Sequence, residues 1–361
     1  MINGQRLKQF HDIALNVLHR SLKPKYGPSH VQIEITTFCN MDCLSCGRRY
    51  LIGKGRHMTL EVFRNIYDQI QPTNVNLSGL GEPLLNPQVF KIIQYCKQNG
   101  SVVNFPTNLS VSNHVMEELV RSRIDQIKVS IDAASAQTYR NLRKKDKFHH
   151  VLENIRTIGR WKRELGSNLP EVRFNFCLQK HNLTELPQLV ELAKDLSVSS
   201  IYIQDLNYFS VEEEKNELCG FSQKQLVEVL EGTHRIARKL GIATNILNWK
   251  RNLKWLYNKT LPRENYQPNS IRCTFPWVSA FIDVNGWVKP CPVFVWDNRC
   301  GYLGNCLETP FADIWHGSVY QNLRREFNKG RRIQPICKRC VPPRLLDMQL
   351  IFTKMLAWRH R

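Results

Sequence analysis

Six stretches of this chain read as buried strands, roughly 31–37, 74–79, 101–106, 126–131, 171–178 and 199–205, with helical pattern or turn residues between them. Such alternation admits few folds. The crossovers are right-handed and the strands parallel, in a sheet that is either doubly wound or curled into a barrel. Asn86-Pro87 reads as a cap with Pro at the first helical position, before Val89, Ile92, Ile93 and Cys96 on one face. Thr59 precedes the stripe Phe63, Ile66, Tyr67 and Ile70, and Thr184 precedes Leu189, Leu192, Ala193 and Leu196.

Alternate residues of a strand face opposite ways, so parity tests the sheet's surroundings. One parity is apolar: Ile33 and Ile35, Val75 and Leu77, Ile127 and Val129, Phe174 and Phe176. The other carries Glu34 and Thr36, Asn76 and Ser78, Lys128 and Ser130, Arg173 and Asn175, Tyr202 and Gln204. A parallel sheet covered on both sides is apolar on both faces. One polar face therefore predicts a curved sheet whose interior holds either a ligand or a satisfied polar network.

From about 206 the alternation stops. A helical pattern covers 221–240, and a polar, Trp-rich stretch to about 270 reads as a linker or lid. Ala280 to Val284, Asn285-Gly286 and Trp287-Val288 then read as a tight hairpin, the Asn-Gly pair supplying the positive φ angles of a primed turn. With 361 residues, 42% of them hydrophobic, the chain can bury two or three cores, which excludes disorder and collagen-like repeats. No apolar run approaches the ~18 residues that span a bilayer, and Met1 to Arg6 opens no signal region, so a cytoplasmic chain is expected. Disulfides are disfavoured there, and the 12 cysteines are expected to bind metal or do chemistry.

Strand one runs into Cys39, Cys43 and Cys46, spaced C-x3-C-x2-C. Three thiolates on a four-iron cube leave one iron open, whereas a structural zinc wants a fourth ligand, such as His57. Spacing alone leaves both readings standing. Strand two ends in Ser78-Gly79-Leu80-Gly81-Glu82-Pro83, a turn at the same end of the sheet that lets backbone approach a ligand closely.

Together with Thr107-Asn108 after strand three and Val129-Ser130-Ile131-Asp132 at strand four, these motifs resemble the radical SAM superfamily over about 29–210. The resemblance implies a partial (β/α)6 barrel and a [4Fe–4S] cluster on Cys39, Cys43 and Cys46 that chelates S-adenosylmethionine. It carries amino-group binding to Gly79, Gly81 and Glu82, ribose or carboxylate contacts to Ser130, and further cofactor contacts to Asn108 and Asp132. The family often has an aromatic residue before the third cysteine. Here it is Ser45, which leaves adenine contacts unassigned.

Cys273, Cys291, Cys337 and Cys340 form a second set, two of them at the open end of the hairpin and two in a C-x2-C loop. Four such thiols are a full ligand set for zinc or iron–sulfur, and spacing alone favours zinc. The wording around them, Cys273-Thr274-Phe275-Pro276-Trp277, Pro290-Cys291-Pro292 and Asp313-Ile314-Trp315, resembles the SPASM domain, an α+β module with a β-hairpin. That resemblance implies one auxiliary [4Fe–4S] cluster, because the extra Cys300 and Cys306 are not at the spacing of the longer SPASM form. Cys96 reads as core packing, while Cys177 on the inner face and Cys219 before Gly220 are candidate hydrogen donors.

The expected organisation is a basic helical extension (1–28), the radical SAM core (29–210), a helical linker or lid (211–270), the SPASM domain (271–343) and a basic amphipathic helix (344–361). The implied reaction is reductive cleavage of S-adenosylmethionine to a 5′-deoxyadenosyl radical that abstracts a substrate hydrogen. An electron donor such as flavodoxin or ferredoxin is implied with it. Oxidation of a small anionic metabolite is the expected outcome, by dehydrogenation or bond formation; peptide maturation or epimerisation is the alternative. Only about 30 residues precede the first strand, short for the leader-binding domain of many peptide-modifying relatives, which is expected to disfavour peptide maturation without excluding it.

The formal charge of +20 admits a different class, an RNA- or membrane-associated binding protein with zinc-type sites. Arg140, Arg143, Lys144, Lys145 and Lys147 form a basic run, but no RNA-binding module accompanies it and such runs are usually solvated faces. Residues 344–361 mix Leu, Ile and Phe with Arg and Lys, a pattern for peripheral membrane contact or for packing on its own domain.

Overall fold

The computed structural model describes residues 15, 17–51, 54–204, 222–247, 273–296, 301–331, 333, 334 and 337. Cys219, Cys300, Cys340 and the 344–361 segment lie outside the described residues, as do parts of the 1–28 extension and of the 211–270 linker.

Among the described residues, one sheet holds β1 (His30–Ile33), β2 (Asn74–Asn76), β3 (Val102–Thr107), β4 (Gln126–Ser130), β5 (Glu171–Cys177), β6 (Ser200–Gln204), β7 (Ala243–Thr244), β8 (Ser279–Ile282), β9 (Trp287–Lys289) and β10 (Gly304–Asn305). From β1 to β7 the spatial order follows the chain and every neighbouring pair is parallel. A doubly wound sheet reverses its order at a switch point. This one does not, so it winds in one direction, as a barrel wall does. The alternation also runs one unit further than the sequence pattern predicts, because β7 pairs with β6 through only two residues, too few to show a period.

Local chemistry sets the helix ends. The Thr59 hydroxyl accepts from the Val62 amide at 3.3 Å and starts α1 (Leu60–Ile70). Asn86 does not cap α2 (Val89–Gln98): it is buried, and its amide donates to the carbonyls of Ile35 at 2.6 Å and Met58 at 2.9 Å, tying the helix approach to the first strand. The chain continues through α3 (Val115–Arg121), α4 (Ala136–Arg143), α5 (Phe148–Glu164) and α6 (Leu186–Asp195). Thr184 lies inside a short 3-10 turn ahead of α6 rather than at its cap. Ser222 and Gln225 form a reciprocal capping box at the start of α7 (Gln223–Leu240), and Gly241 closes it in the left-handed region. Leu226, Leu230 and Ala237 of α7 sit in the main core.

The hairpin after residue 278 extends this same sheet. β8 pairs in parallel with β1 over four residues and antiparallel with β9. The turn is not a primed one. Gly286 alone has positive φ, at 86°, and its amide reaches the Asp283 carbonyl at 3.0 Å, so Asn285 keeps an ordinary conformation. A Cβ at Gly286 would also stand 2.6 Å from Leu307.

Residues 20–29 are strapped to α8 (Phe311–His316), α9 (Ser318–Asn328) and the turn before β8. The Trp277 and Trp315 indoles donate to the carbonyls of Ser21 at 2.6 Å and Tyr26 at 3.0 Å. Arg324, fully buried, donates to Leu22, Pro276 and Trp315 carbonyls and stacks on the Trp315 and Tyr320 rings.

Candidate active site

The first cysteine loop leaves the C-terminal end of β1 and is clamped from every side. The Phe38 carbonyl accepts from the Glu82 amide at 2.8 Å, the Asn40 side chain pairs with Asn108 at 2.8 Å and Ser110 at 3.0 Å, and the Leu44 amide donates to Leu142 of α4 at 2.8 Å. Cys39, Cys43 and Cys46 are all half-buried there. Burial pushes the Cys39 thiol up to about 12, and the neighbouring Cys43 and Cys46 sulfurs add to the rise. Burial also raises Cys46, against the pull of Arg143 and Arg48. Such thiols ionise when a metal supplies the compensating charge.

The donor set fits a cluster. Cys43 and Cys46 lie near enough to Cys39 to raise its thiol, and the Met41 amide and Arg143 guanidinium donate toward Cys39 and Cys43 at 3.5 and 3.4 Å, although among the described residues no three His, Cys, Asp or Glu side chains are drawn together as closely as a metal ion requires. Cys39, Cys43 and Cys46 would each hold one iron.

The glycine turn after β2 lies flat against this loop. A Cβ on Gly79 would stand 2.2 Å from the Glu34 carboxylate, and one on Gly81 2.3 Å from the Thr36 carbonyl oxygen, so only glycine allows the approach. Glu82 is buried, with one carboxylate oxygen accepting from Thr107 at 2.7 Å and the other from the Asn108 amide at 2.6 Å. Burial raises its pKa to about 7 despite those hydrogen bonds. Its carboxylate thus fastens the end of β3 to the turn through the Asn108 backbone N–H, and the Asn108 side-chain amide separately reaches Cys39 at 3.8 Å.

Ser130 ends β4, opposite Asn175 in register, and Asp132 follows in the left-handed region at φ 52°. Asp132 accepts from the Cys177 amide at 2.7 Å and pairs with Arg143 at 2.6 Å. Burial raises the Asp132 pKa, with Arg143 and the Cys177 amide opposing. Arg143 is therefore not part of a solvated face. It lies on the buried side of α4 with Tyr139 and Leu142, bridges Asp132 to Cys43, and finds no partner for its buried Nε among the described residues. Its place four residues after Tyr139 is the signal that reading the basic run as a block passed over. Cys177 is half-buried at the end of β5 on the inner face, as parity predicts.

The second set converges as well. Cys273, Cys291 and Cys337 come from three segments into one small core with Trp277, Phe294, Leu323 and Phe327. By donor type these thiols suit an auxiliary cluster, which they would hold together with Cys340, although the three do not stand at metal-binding separation from one another. Cys306 stands apart in the main core, its thiol on the Gly286 carbonyl at 3.1 Å and raised to about 12 by burial. Cys96 is fully buried in that core too.

Residues 33–168 match the radical SAM superfamily. The chain belongs to that superfamily. Residues 273–341 match SPASM, an iron–sulfur cluster-binding domain. This radical SAM protein is 25% identical over 314 residues to the AdoMet-dependent heme synthase of Methanosarcina barkeri, covering 82% of this chain and 85% of that one. It is 23% identical to the tungsten-containing aldehyde ferredoxin oxidoreductase cofactor-modifying protein of Pyrococcus furiosus, covering 86% of each. Its fold resembles Streptococcus suis SuiB bound to S-adenosylmethionine, with a TM-score of 0.65 at 15% identity over 92% of this chain and 76% of that one. It also resembles anSMEcpe with bound AdoMet, with a TM-score of 0.60 at 14% identity over 87% and 86%. The cofactors of a radical SAM core with a SPASM domain are S-adenosylmethionine, the [4Fe–4S] cluster that binds it, and auxiliary [4Fe–4S] iron. Among the described residues no helix is long and apolar enough to cross a membrane.

Proposed function

We propose that this radical SAM protein oxidises a small anionic substrate bound inside the strand layer. The carrying observation is that the cysteine triplet, Asn108, Ser130, Asp132 and Cys177 lie at or after the C-terminal ends of β1, β3, β4 and β5, with Arg143 of α4 bridging Asp132 to Cys43. Held by Cys39, Cys43 and Cys46, and by Cys273, Cys291 and Cys337, the bound cofactors would supply the redox chemistry, namely reductive cleavage of S-adenosylmethionine and abstraction of a substrate hydrogen, with the auxiliary cluster as an electron acceptor.

The chain's own residues do the rest. Gly79 and Gly81 bring the turn onto the cysteine loop, Glu82 sets the Asn108 amide, and Arg143 places a positive charge beside Cys43. Ser130 and Asp132 line the end of β4, where the cofactor's polar groups would lie. Cys177, half-buried at the end of β5, would return a hydrogen if the outcome were epimerisation. A cytoplasmic flavodoxin or ferredoxin is the proposed electron donor.

Cys43→Ala in anaerobically reconstituted, reduced protein tests the reading. 5′-Deoxyadenosine formation should vanish while auxiliary iron stays; undiminished formation overturns the proposal.

A further inference from the structure

We infer that Lys128 and Arg173 form a seat for one oxyanion group of the substrate, a carboxylate or a phosphate, inside the strand layer; this rests on the radical SAM reading above. The two residues are direct partners in the parallel register of β4 and β5, on the inner face. Neighbouring strands run about 4.8 Å apart, so two cationic side chains leave adjacent points of the wall in the same direction. Like charges in that relation repel, and more so where water is scarce.

Among the described residues neither cation has a carboxylate within ion-pair distance. Lys128 donates to the Asn104 side-chain oxygen, and Asn104 donates in turn to Asn74 at 3.2 Å. Arg173 donates through Nε to Asn175 at 3.3 Å and lies 4.9 Å over the Tyr202 ring. Glu171, two residues below Arg173 on the same face, accepts from Gln126 at 3.2 Å and Ser199 at 3.3 Å. Glu171 and Tyr202 partly support the Arg173 charge, but among the described residues the remaining donors of both cations have no hydrogen-bond partner.

Burial and the Arg173 charge hold the Lys128 ammonium well below its ordinary range, and burial lowers Arg173 as well. A fold gains nothing from such a pair on its own. It is kept where a bound anion restores the balance, and two forked N–H donors beside a flexible ammonium suit an oxyanion.

Depth gives the seat a meaning. Lys128 lies two residues before Ser130 on β4, roughly 6–7 Å further into the barrel. A substrate anchored there points its uncharged part toward the mouth, so the length between anion and carbon selects which hydrogen is presented. Tyr202, 43% exposed, gives the seat an apolar wall on the β6 side.

The test uses reconstituted holoprotein and reads the thermal midpoint in sodium phosphate or sodium acetate against sodium chloride at matched ionic strength. Wild type should shift upward with one of the two anions. Lys128→Met and Arg173→Met should each weaken the half-saturating concentration by about tenfold or more, as loss of a charged hydrogen bond does. Lys128→Arg and Arg173→Lys should keep most of the shift. A response to phosphate alone assigns a phosphoryl group, and a response to acetate alone assigns a carboxylate. Where Lys128→Met does not accumulate, Lys128→Gln carries the same expectation. No anion-specific shift in wild type, or one that survives both substitutions, overturns the seat. 5′-Deoxyadenosine formation by the same wild-type preparation reads the parent proposal separately: its absence overturns that proposal, and its presence beside a failed anion test overturns the seat alone.

Discussion

Gly81→Ala is the sharpest test of how the site is assembled. The added Cβ would stand 2.3 Å from the Thr36 carbonyl oxygen and 2.7 Å from that of Phe38. Carbon meets a carbonyl oxygen comfortably at about 3.3 Å, so the turn must retreat by roughly 1 Å. Both obstacles are backbone and cannot rotate away. The 2.8 Å hydrogen bond from the Glu82 amide to Phe38 then passes out of range. Overpacking costs about 1–3 kcal/mol and stranding a buried backbone pair about 1–2 kcal/mol more, offset by about 0.5 kcal/mol from the stiffer unfolded chain. The expected loss is about 2–4 kcal/mol, read from anaerobic urea titrations of apo-protein. Iron at the first cluster should fall in parallel, because the displaced Glu82 no longer fixes Asn108 beside Cys39. Gly27→Ala is the control, since nothing lies within 4 Å of its Cβ. Equal stability and full iron loading in Gly81→Ala would refute the close-approach argument.

Three further outcomes follow from other parts of the molecule. Cys291→Ser should lose auxiliary iron while Cys306→Ser keeps it, because the Cys306 thiol is hydrogen-bonded to Gly286 in the main core; equal iron loss would move Cys306 into the ligand set. Arg324→Met should cost about 3 kcal/mol or more by stranding three buried carbonyls, and should expose residues 20–29 to limited proteolysis; a wild-type digestion pattern would contradict the strap. Burial raises Glu34 from its ordinary value to about 7, so the folded state holds a proton that the unfolded chain releases near 4.5. That contribution is complete below the unfolded value and is lost as pH rises through about 7, on the order of 3 kcal/mol. Glu34→Gln apo-protein should show a flatter stability profile over that window, and parallel profiles would count against a protonated Glu34.

The sheet was legible because its chemistry has a period of two. Parity placed Lys128, Arg173 and Cys177 on the inner face and Ile127, Phe174 and Phe176 on the outer one, and register bears this out. The second strand was read to residue 79, and its hydrogen bonds do run on, from the Leu77 amide to Asn104 and from Ser78 to Ile33. What a pattern does not carry is a polar atom's destination. Asn86 has the residue type of a cap yet spends its amide on two carbonyls of the first strand and its loop, and the partners of Glu82 lie some 25 residues away on another strand. Arg143 was hidden for a related reason: a run of like charges was judged as a block, although one helical turn separates a solvated position from a buried one.

The parallel pairing of β8 with β1 bears on how the chain reaches this state. The first strand borders β2 on one side and residues 279–282 on the other, through Val31 opposite Ala280 and the Glu34 amide on the Ile282 carbonyl at 2.9 Å. During synthesis the strand that leads into the cysteine triplet emerges early, yet its second neighbour follows only after about 250 residues more. Until then it is a bare edge, the kind that recruits other chains. Closing so distant a contact is slow. Aggregation of nascent or truncated chains should therefore respond to residues 279–282 as strongly as to any cysteine.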